Sequence, residues 1–344
     1  MGAIARYAYL NTRVSEMATR LLSDTDLDAL IQQPGDQDSS AIRVAESAGV
    51  WASEAGEGGL SLEQQLTTSL LADFVILVRA LTGAARKFLI YWAYRFELSN
   101  LKTILRGKMT GQPVAAIRKE LGDMGPFATL PIEDMLRTGD VAELLRLLEG
   151  TPFDDIARQA RRIFEENREL FALDAAVDRR YYAGLIRHAR AINRREGHQI
   201  RVLVGNIIDH VNLLWLLRYR FAYGLPPAEA YYLLVPEGDR LRSPQLLPLS
   251  RLATFEEVIT QLPRPYSAQL AGVTTASDAT MILERESWRL AYTILRRADF
   301  NLARAFAYLV LREKMLRQLR AVIKGKQLRI HSDLIRQAAG LVTN

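Results

Sequence analysis

Three nine-residue stretches decide how this chain is read. They are Asn100-Leu101-Lys102-Thr103-Ile104-Leu105-Arg106-Gly107-Lys108, Asn212-Leu213-Leu214-Trp215-Leu216-Leu217-Arg218-Tyr219-Arg220 and Gln318-Leu319-Arg320-Ala321-Val322-Ile323-Lys324-Gly325-Lys326. They align without a gap, with starts 112 and 106 residues apart. Each opens on a side-chain amide, continues with Leu at +1, carries apolar residues at +4 and +5, and places basic residues at +6 and +8. On a helix +1, +4 and +5 share one face, so the pattern predicts three helices that turn this face into a core. The +6 residues then lie on the exposed side. An acid precedes the amide by three residues in two copies, Glu97 and Asp209, which is contact distance on a helix. The third copy has Met315 there. A fainter fourth trace, Asn11-Thr12-Arg13-Val14, lacks the basic pair.

Proline follows the same rhythm. Eleven of the 12 prolines fall in residues 113–152 and 226–265, while 35–112, 153–225 and 266–344 have none. Proline breaks helix interiors, so the proline-free stretches are where long helices run. The stripe Leu203, Ile207, Ile208, Val211, Leu214 has helical spacing. Alternating runs of β-branched residues are scarce. The predicted class is all-α, with short helices and turns in the proline-bearing segments. A period above 100 residues exceeds that of short solenoid repeats and implies three similar helical domains. Approximate units are 60–165, 166–275 and 276–344, the last completed by residues 1–59.

Composition narrows the function. The 344 residues contain no cysteine, which removes disulfides, thiolate metal sites and thiol catalysis. The net charge of +6 is uneven. Residues 281–344 hold 13 Lys and Arg against 5 Asp and Glu, and the remainder holds 32 against 34. The most apolar window, Leu70 to Tyr94, contains Asp73, Arg79, Arg86 and Lys87, so no transmembrane span is expected. Phosphate loops, dinucleotide loops, nucleophile elbows and metalloprotease helices are missing. His188, His198, His210 and His331 are too dispersed for a local ligand motif, and Asp154-Asp155 is followed by Arg158 where an Asp-rich magnesium motif needs an acid. The two aspartates are placed in the first turn of a helix running to Phe171. No catalytic residue, metal or cofactor is expected.

The basic residues admit two readings. Lys108, Arg220 and Lys326 lie near helix C-termini, where a cation favours the macrodipole by about 0.3–1 kcal/mol. Gly107 and Gly325 then suit a left-handed C′ position. Alternatively Arg106, Lys108, Arg218, Arg220, Lys324 and Lys326 form a threefold set of cations facing an acidic partner.

The same residues carry a family resemblance. The chain resembles the C subunit of bacterial and archaeal V/A-type rotary ATPases, relatives of the eukaryotic V-ATPase d subunit. The matching pieces are Tyr9-Leu10-Asn11-Thr12-Arg13-Val14 with Met17, Glu97 to Lys108, Asp209 to Arg220, Pro236-Glu237-Gly238, and Glu313-Lys314 with Ile323 to Lys326. Gln318 and Met315 depart from the pattern, and the segment 33–64 is acidic and low in aliphatics. The resemblance implies three helical domains in a pseudo-threefold funnel on the cytoplasmic face of the membrane. It implies a non-catalytic rotor part between central-stalk subunits of the D and F type and the proteolipid ring, touching the membrane only through the complex. Such a part passes torque that couples ATP turnover to proton or sodium transport. Two other classes stay open: an all-α enzyme using Glu97 or Asp209 with a nearby base, and a binder of nucleic acid or another anionic surface through residues 281–344.

Overall fold

The computed structural model describes residues 3–32, 61–167, 169–297 and 301–341. Every regular element among them is helical. Along the chain these are α1 (Ala3–Ala18), α2 (Asp24–Gln32), α3 (Leu62–Arg79), α4 (Gly83–Met109), α5 (Val114–Glu120), α6 (Ile132–Arg137) and α7 (Val141–Arg146). There follow α8 (Asp154–Asn167), α9 (Leu170–Ala191), α10 (His198–Leu217), α11 (Pro227–Leu233), α12 (Ser243–Ser250) and α13 (Phe255–Gln261). The last are α14 (Tyr266–Gln269), α15 (Ala276–Arg297), α16 (Leu302–Gln327) and α17 (Ser332–Ala338). The chain divides into two compact units, one from residues 1–86 with 288–344 and one from 87–287.

In the first unit α16 is the central helix, packed by α1, α2, α3 and α17. Asn301 starts it by accepting the Ala303 N–H. Its residues from Leu302 to Leu311 are buried almost without interruption, as expected of a helix covered on all sides. Leu10, Val14 and Met17 form the buried stripe of α1, and Leu66, Leu70, Phe74 and Leu77 that of α3. Ser61 and Gln64 close a reciprocal capping box at the start of α3, which fixes where that helix begins.

The second unit is organised around α4, α9 and α10. Leu213, Leu216 and Leu217 of α10 sit in one apolar cluster with Leu233, Leu241, Leu246, Val258 and Leu283. α10 and the π-turn that continues it, residues 198–222, are long and apolar enough to cross a membrane by length and composition alone. The helix nonetheless carries Asp209 and Asn212, both fully buried and hydrogen-bonded inside the unit, so it reads as a core helix. This differs from the sequence expectation, which puts the most apolar window at residues 70–94.

Two local expectations are corrected. The helix that begins at Asp154 ends at Asn167, and a new one starts at Leu170, so it does not reach Phe171. Asp155 does lie in its first turn, where Arg180 and Arg187 pair with it. Gly107 and Gly325 are not C′ residues. Both stand inside helices that continue to Met109 and Gln327, and the left-handed residues come four positions later, at Gly111 and Arg329.

The glycines at +7 have a different cause. A Cβ on Gly107 would lie 2.5 Å from Ile117 Cγ1, and one on Gly325 would lie 2.6 Å from Ile335 Cγ1. In each case the isoleucine belongs to the following seven-residue helix, α5 or α17, which packs directly on the motif helix. The second copy has Tyr219 at this place and a π-turn, Arg218–Ala222, which adds one residue before its left-handed Gly224. The extra residue re-aims the helix end and makes room for the ring.

Candidate partner interface

The three motif helices use their repeated residues alike. Leu101, Ile104 and Leu105, then Leu213, Leu216 and Leu217, then Leu319, Val322 and Ile323 are all buried, as the +1, +4, +5 spacing predicts. The amides are buried with them and reach forward to backbone. Asn100 donates to the Gly122 carbonyl at 2.8 Å and accepts the Gly122 N–H at 2.9 Å. Asn212 makes the same pair with Val235, at 2.9 and 2.8 Å. Gln318 donates to the Ala339 carbonyl at 2.9 Å. Each amide thus ties its helix to the loop that follows the next short helix, and satisfies backbone groups that burial would otherwise leave unpaired.

The acids three residues earlier hold a second loop. Glu97 accepts the N–H groups of Thr129 and Leu130 at 2.7 and 3.0 Å, and the Thr129 hydroxyl. Asp209 accepts the N–H groups of Asp239, Arg240 and Leu241 at 2.9, 2.7 and 3.0 Å and the Tyr266 hydroxyl at 2.9 Å. Burial pushes the Asp209 carboxyl above the usual range, against these donors, which favour its ionised form. The loop wraps so closely that a Cβ on Gly238 would fall 2.1 Å from Asp209 Oδ1. In the third copy the Leu22 N–H approaches Met315 Sδ at 3.2 Å, so the N-terminal segment meets the corresponding position. The fourth trace behaves otherwise: Asn11 bonds to Tyr7 within its own helix and to Arg304.

The six basic candidates separate by position. The +8 residues turn inward in two copies. Lys108 donates to the carbonyls of Leu136 and Thr138 at 3.1 and 2.7 Å, and Arg220 to those of Leu225, Ser250 and Leu252. These are carbonyls of distant turns, not of the lysine's or arginine's own helix end. Lys326 is partly buried, and burial pulls its ammonium below the usual range. The +6 residues are exposed in all three copies. Arg106 pairs with Asp174 at 3.3 Å and Lys324 with Glu63 at 2.6 Å, while Arg218 makes no ion pair among the described residues.

Other candidate chemistry takes structural roles. Neither Glu97 nor Asp209 bonds to a basic side chain, and neither lines the cavity of about 460 Å³ between Phe255, Ile259, Ser267 and Val273. His210 is buried between Ser287 Oγ, 2.8 Å from Nδ1, and Asn206, 3.3 Å from Nε2, and burial pulls its imidazole down to about 4. Among the described residues no three His, Asp or Glu come together as metal donors. Part of the basic C-terminal charge is paired inside the first unit: Lys314 with Asp24, Arg320 and Lys324 with Glu63, and Arg336 with Asp28. The acidic segment singled out at 33–64 lies, up to residue 60, outside the described residues.

The amide-to-backbone ties are invisible to motif searching, because one partner is main chain. The fixed offset from each amide to the end of its next short helix is the signal that finds them.

Comparison with known proteins places this arrangement. The chain is similar to the C subunit of the A-type ATP synthase of Methanocaldococcus jannaschii, at 24% identity over 94% of this chain and 83% of the relative. It is 23% identical to the protein of that name in Thermococcus kodakarensis, covering 98% and 91%, and 23% identical to that of Methanosarcina mazei, covering 96% and 92%. A family model described as ATP synthase (C/AC39) subunit matches residues 10–338, a span that includes all three motif helices, and the chain belongs to that family.

Proposed function

We propose that the chain is a non-catalytic rotor subunit of a V/A-type ATPase. It links the central-stalk subunits, of the D and F type, to the membrane proteolipid ring, and passes torque so that ATP turnover is coupled to proton or sodium transport. On this reading it is peripheral, on the cytoplasmic side, and binds neither cofactor nor nucleic acid. The observation that carries the proposal is the family match across nearly the whole chain to proteins named as ATP synthase subunits.

The geometry supports a mechanical role. Each motif helix is tied to loops more than twenty residues away by buried hydrogen bonds, and such ties resist shear between packed helices. The units proposed from the sequence, 60–165, 166–275 and 276–344 completed by 1–59, draw support from the contact of Leu22 with Met315. α2 follows Leu22 as α6 follows the Glu97 loop and α12 follows the Asp209 loop. A pseudo-threefold funnel built from these units presents similar surfaces around a rotation axis. Arg106, Arg218 and Lys324, one per copy, are its exposed cations.

Affinity purification of the tagged chain from solubilised membranes tests the proposal. Stalk and proteolipid subunits are expected with it in fixed ratio, and their absence refutes the assignment. Charge reversal at Arg106, Arg218 and Lys324 is expected to weaken this association in a salt-dependent way. Association of all three variants unchanged across salt would reduce these residues to solvated surface.

A further inference from the structure

The three motif helices end in the same backbone device, and one copy displays different chemistry on it. α4 ends with Gly111 at φ 68°, the Gln112 N–H donating to the Gly107 carbonyl at 2.8 Å. α16 ends in the same way, the Ile330 N–H donating to the Gly325 carbonyl at 2.9 Å, but its left-handed residue is Arg329, at φ 54°. The second copy has Gly224 at φ 68°. Side chains avoid this region because Cβ crowds the carbonyl, and a glycine serves the turn better. Arg329 is the only non-glycine residue with positive φ among the described residues. Backbone held in such a state points to selection for the side chain.

Three aliphatic side chains stand on the same turn. Leu328 is 70% exposed, Leu334 57% and Ile330 41%. The first copy has Thr110, Gln112 and Ala116 at these places, and the second, allowing for its added residue, has Tyr223, Leu225 and Glu229. The joining of an arginine with exposed aliphatics is confined to the third copy. Nearby cations are already paired: Arg320 and Lys324 with Glu63, Arg336 with Asp28 and Asp333. Arg329 makes no ion pair among the described residues.

We infer that the turn of Leu328, Arg329, Ile330 and Leu334 is a docking surface for a helix of another protein subunit, one whose aliphatic side chains cover the leucines and isoleucine and whose carboxylate pairs with Arg329. The inference rests on the reading of the chain as part of a rotary assembly. A bilayer fits less well, because anionic lipid is attracted by clusters of unpaired cations, and the pairing above removes much of such a cluster. A second copy of this chain fits less well too, since a two-fold contact of so small a patch would set Arg329 against Arg329.

The test uses the full chain, alone and in the purified assembly. Arg329→Gly is expected to raise the thermal midpoint of the isolated chain, because glycine accepts the left-handed backbone, yet to lower retention in the assembly roughly tenfold. Leu328→Ser and Leu334→Ser are expected to lower retention without unfolding the chain. A photo-cross-linking residue at position 334 is expected to join a helix of a different subunit, within about one turn of an Asp or Glu. Equal retention of all variants, or cross-links only to lipid, to a second copy or to residues 33–60 of the same chain, would overturn the inference while the wild-type chain still co-purifies. Absence of the wild-type chain from the assembly would defeat the underlying reading and the inference with it.

Discussion

Asp209 and Met315 stand at the same place in two motif helices, three residues ahead of a buried amide, and hold the chain by different means. Asp209 gathers three backbone N–H groups and a phenol from one wrapped loop. Met315 has one backbone N–H near its sulfur, from the opposite end of the chain, and the Arg312 guanidinium at 3.7 Å. The charge in that region lies one turn away instead, where Arg312 pairs with buried Asp73 at 3.0 Å and Tyr308 donates to the same carboxylate. Burial pushes Asp73 upward, opposed by Arg312. A loop rich in unpaired N–H groups needs a carboxylate, and a helix start that brings one N–H does not. The motif is therefore constant where it meets core and backbone, and variable where its partner segment varies.

Replacing the three residues in turn tests that distinction. Asp209→Ala leaves four buried donors without an acceptor and is expected to cost about 5 kcal/mol. Glu97→Ala, with three donors, should cost about 3 kcal/mol by the same reasoning. Met315→Ala removes packing and one weak acceptor, for about 2 kcal/mol. Denaturant unfolding of the full chain gives the ranking. A Met315 variant as damaging as the Asp209 variant would mean that the carboxylates are not what distinguishes the copies.

The second copy also contains a titrating group that neither other copy has. His210 is pulled down to about 4 by burial, against about 6.5 for the unfolded chain. The unfolded state therefore binds the extra proton first, and stability present above pH 6.5 is lost as pH falls toward 4. The loss is expected to approach about 3 kcal/mol and to be absent in His210→Gln. Equal slopes for wild type and variant between pH 6.5 and 4 would contradict it.

A smaller effect separates the first and third copies from the second. Gly107→Ala and Gly325→Ala drive a methyl group into Ile117 and Ile335, for about 2 kcal/mol each. Pairing each with Ile117→Ala or Ile335→Ala should cost less than the sum, because the two changes share one space. Strict additivity would show that the glycines are there for some other reason.

These cases mark what can be read from residues alone. The apolar face is legible because +1, +4 and +5 report burial whatever the partner is. The exposure of Arg106, Arg218 and Lys324 follows from the same geometry. The ties from Asn100 and Asn212 are not legible, because they end on main-chain atoms of Gly122 and Val235 that any residue would supply. Gly107 and Gly325 have the type and place of helix ends, yet the constraint on them comes from an isoleucine ten residues on. Lys108 and Arg220 do lie near helix termini, as their place in the pattern predicts. Their carbonyl partners belong to turns about thirty residues away, beyond the reach of local pattern.

The central claim is mechanical coupling, and ion transport measures it. Purified assembly, reconstituted in vesicles with and without this chain, should hydrolyse ATP in both cases and move protons or sodium only when the chain is present, with transport restored on adding it back. Equal transport in its absence would contradict the account.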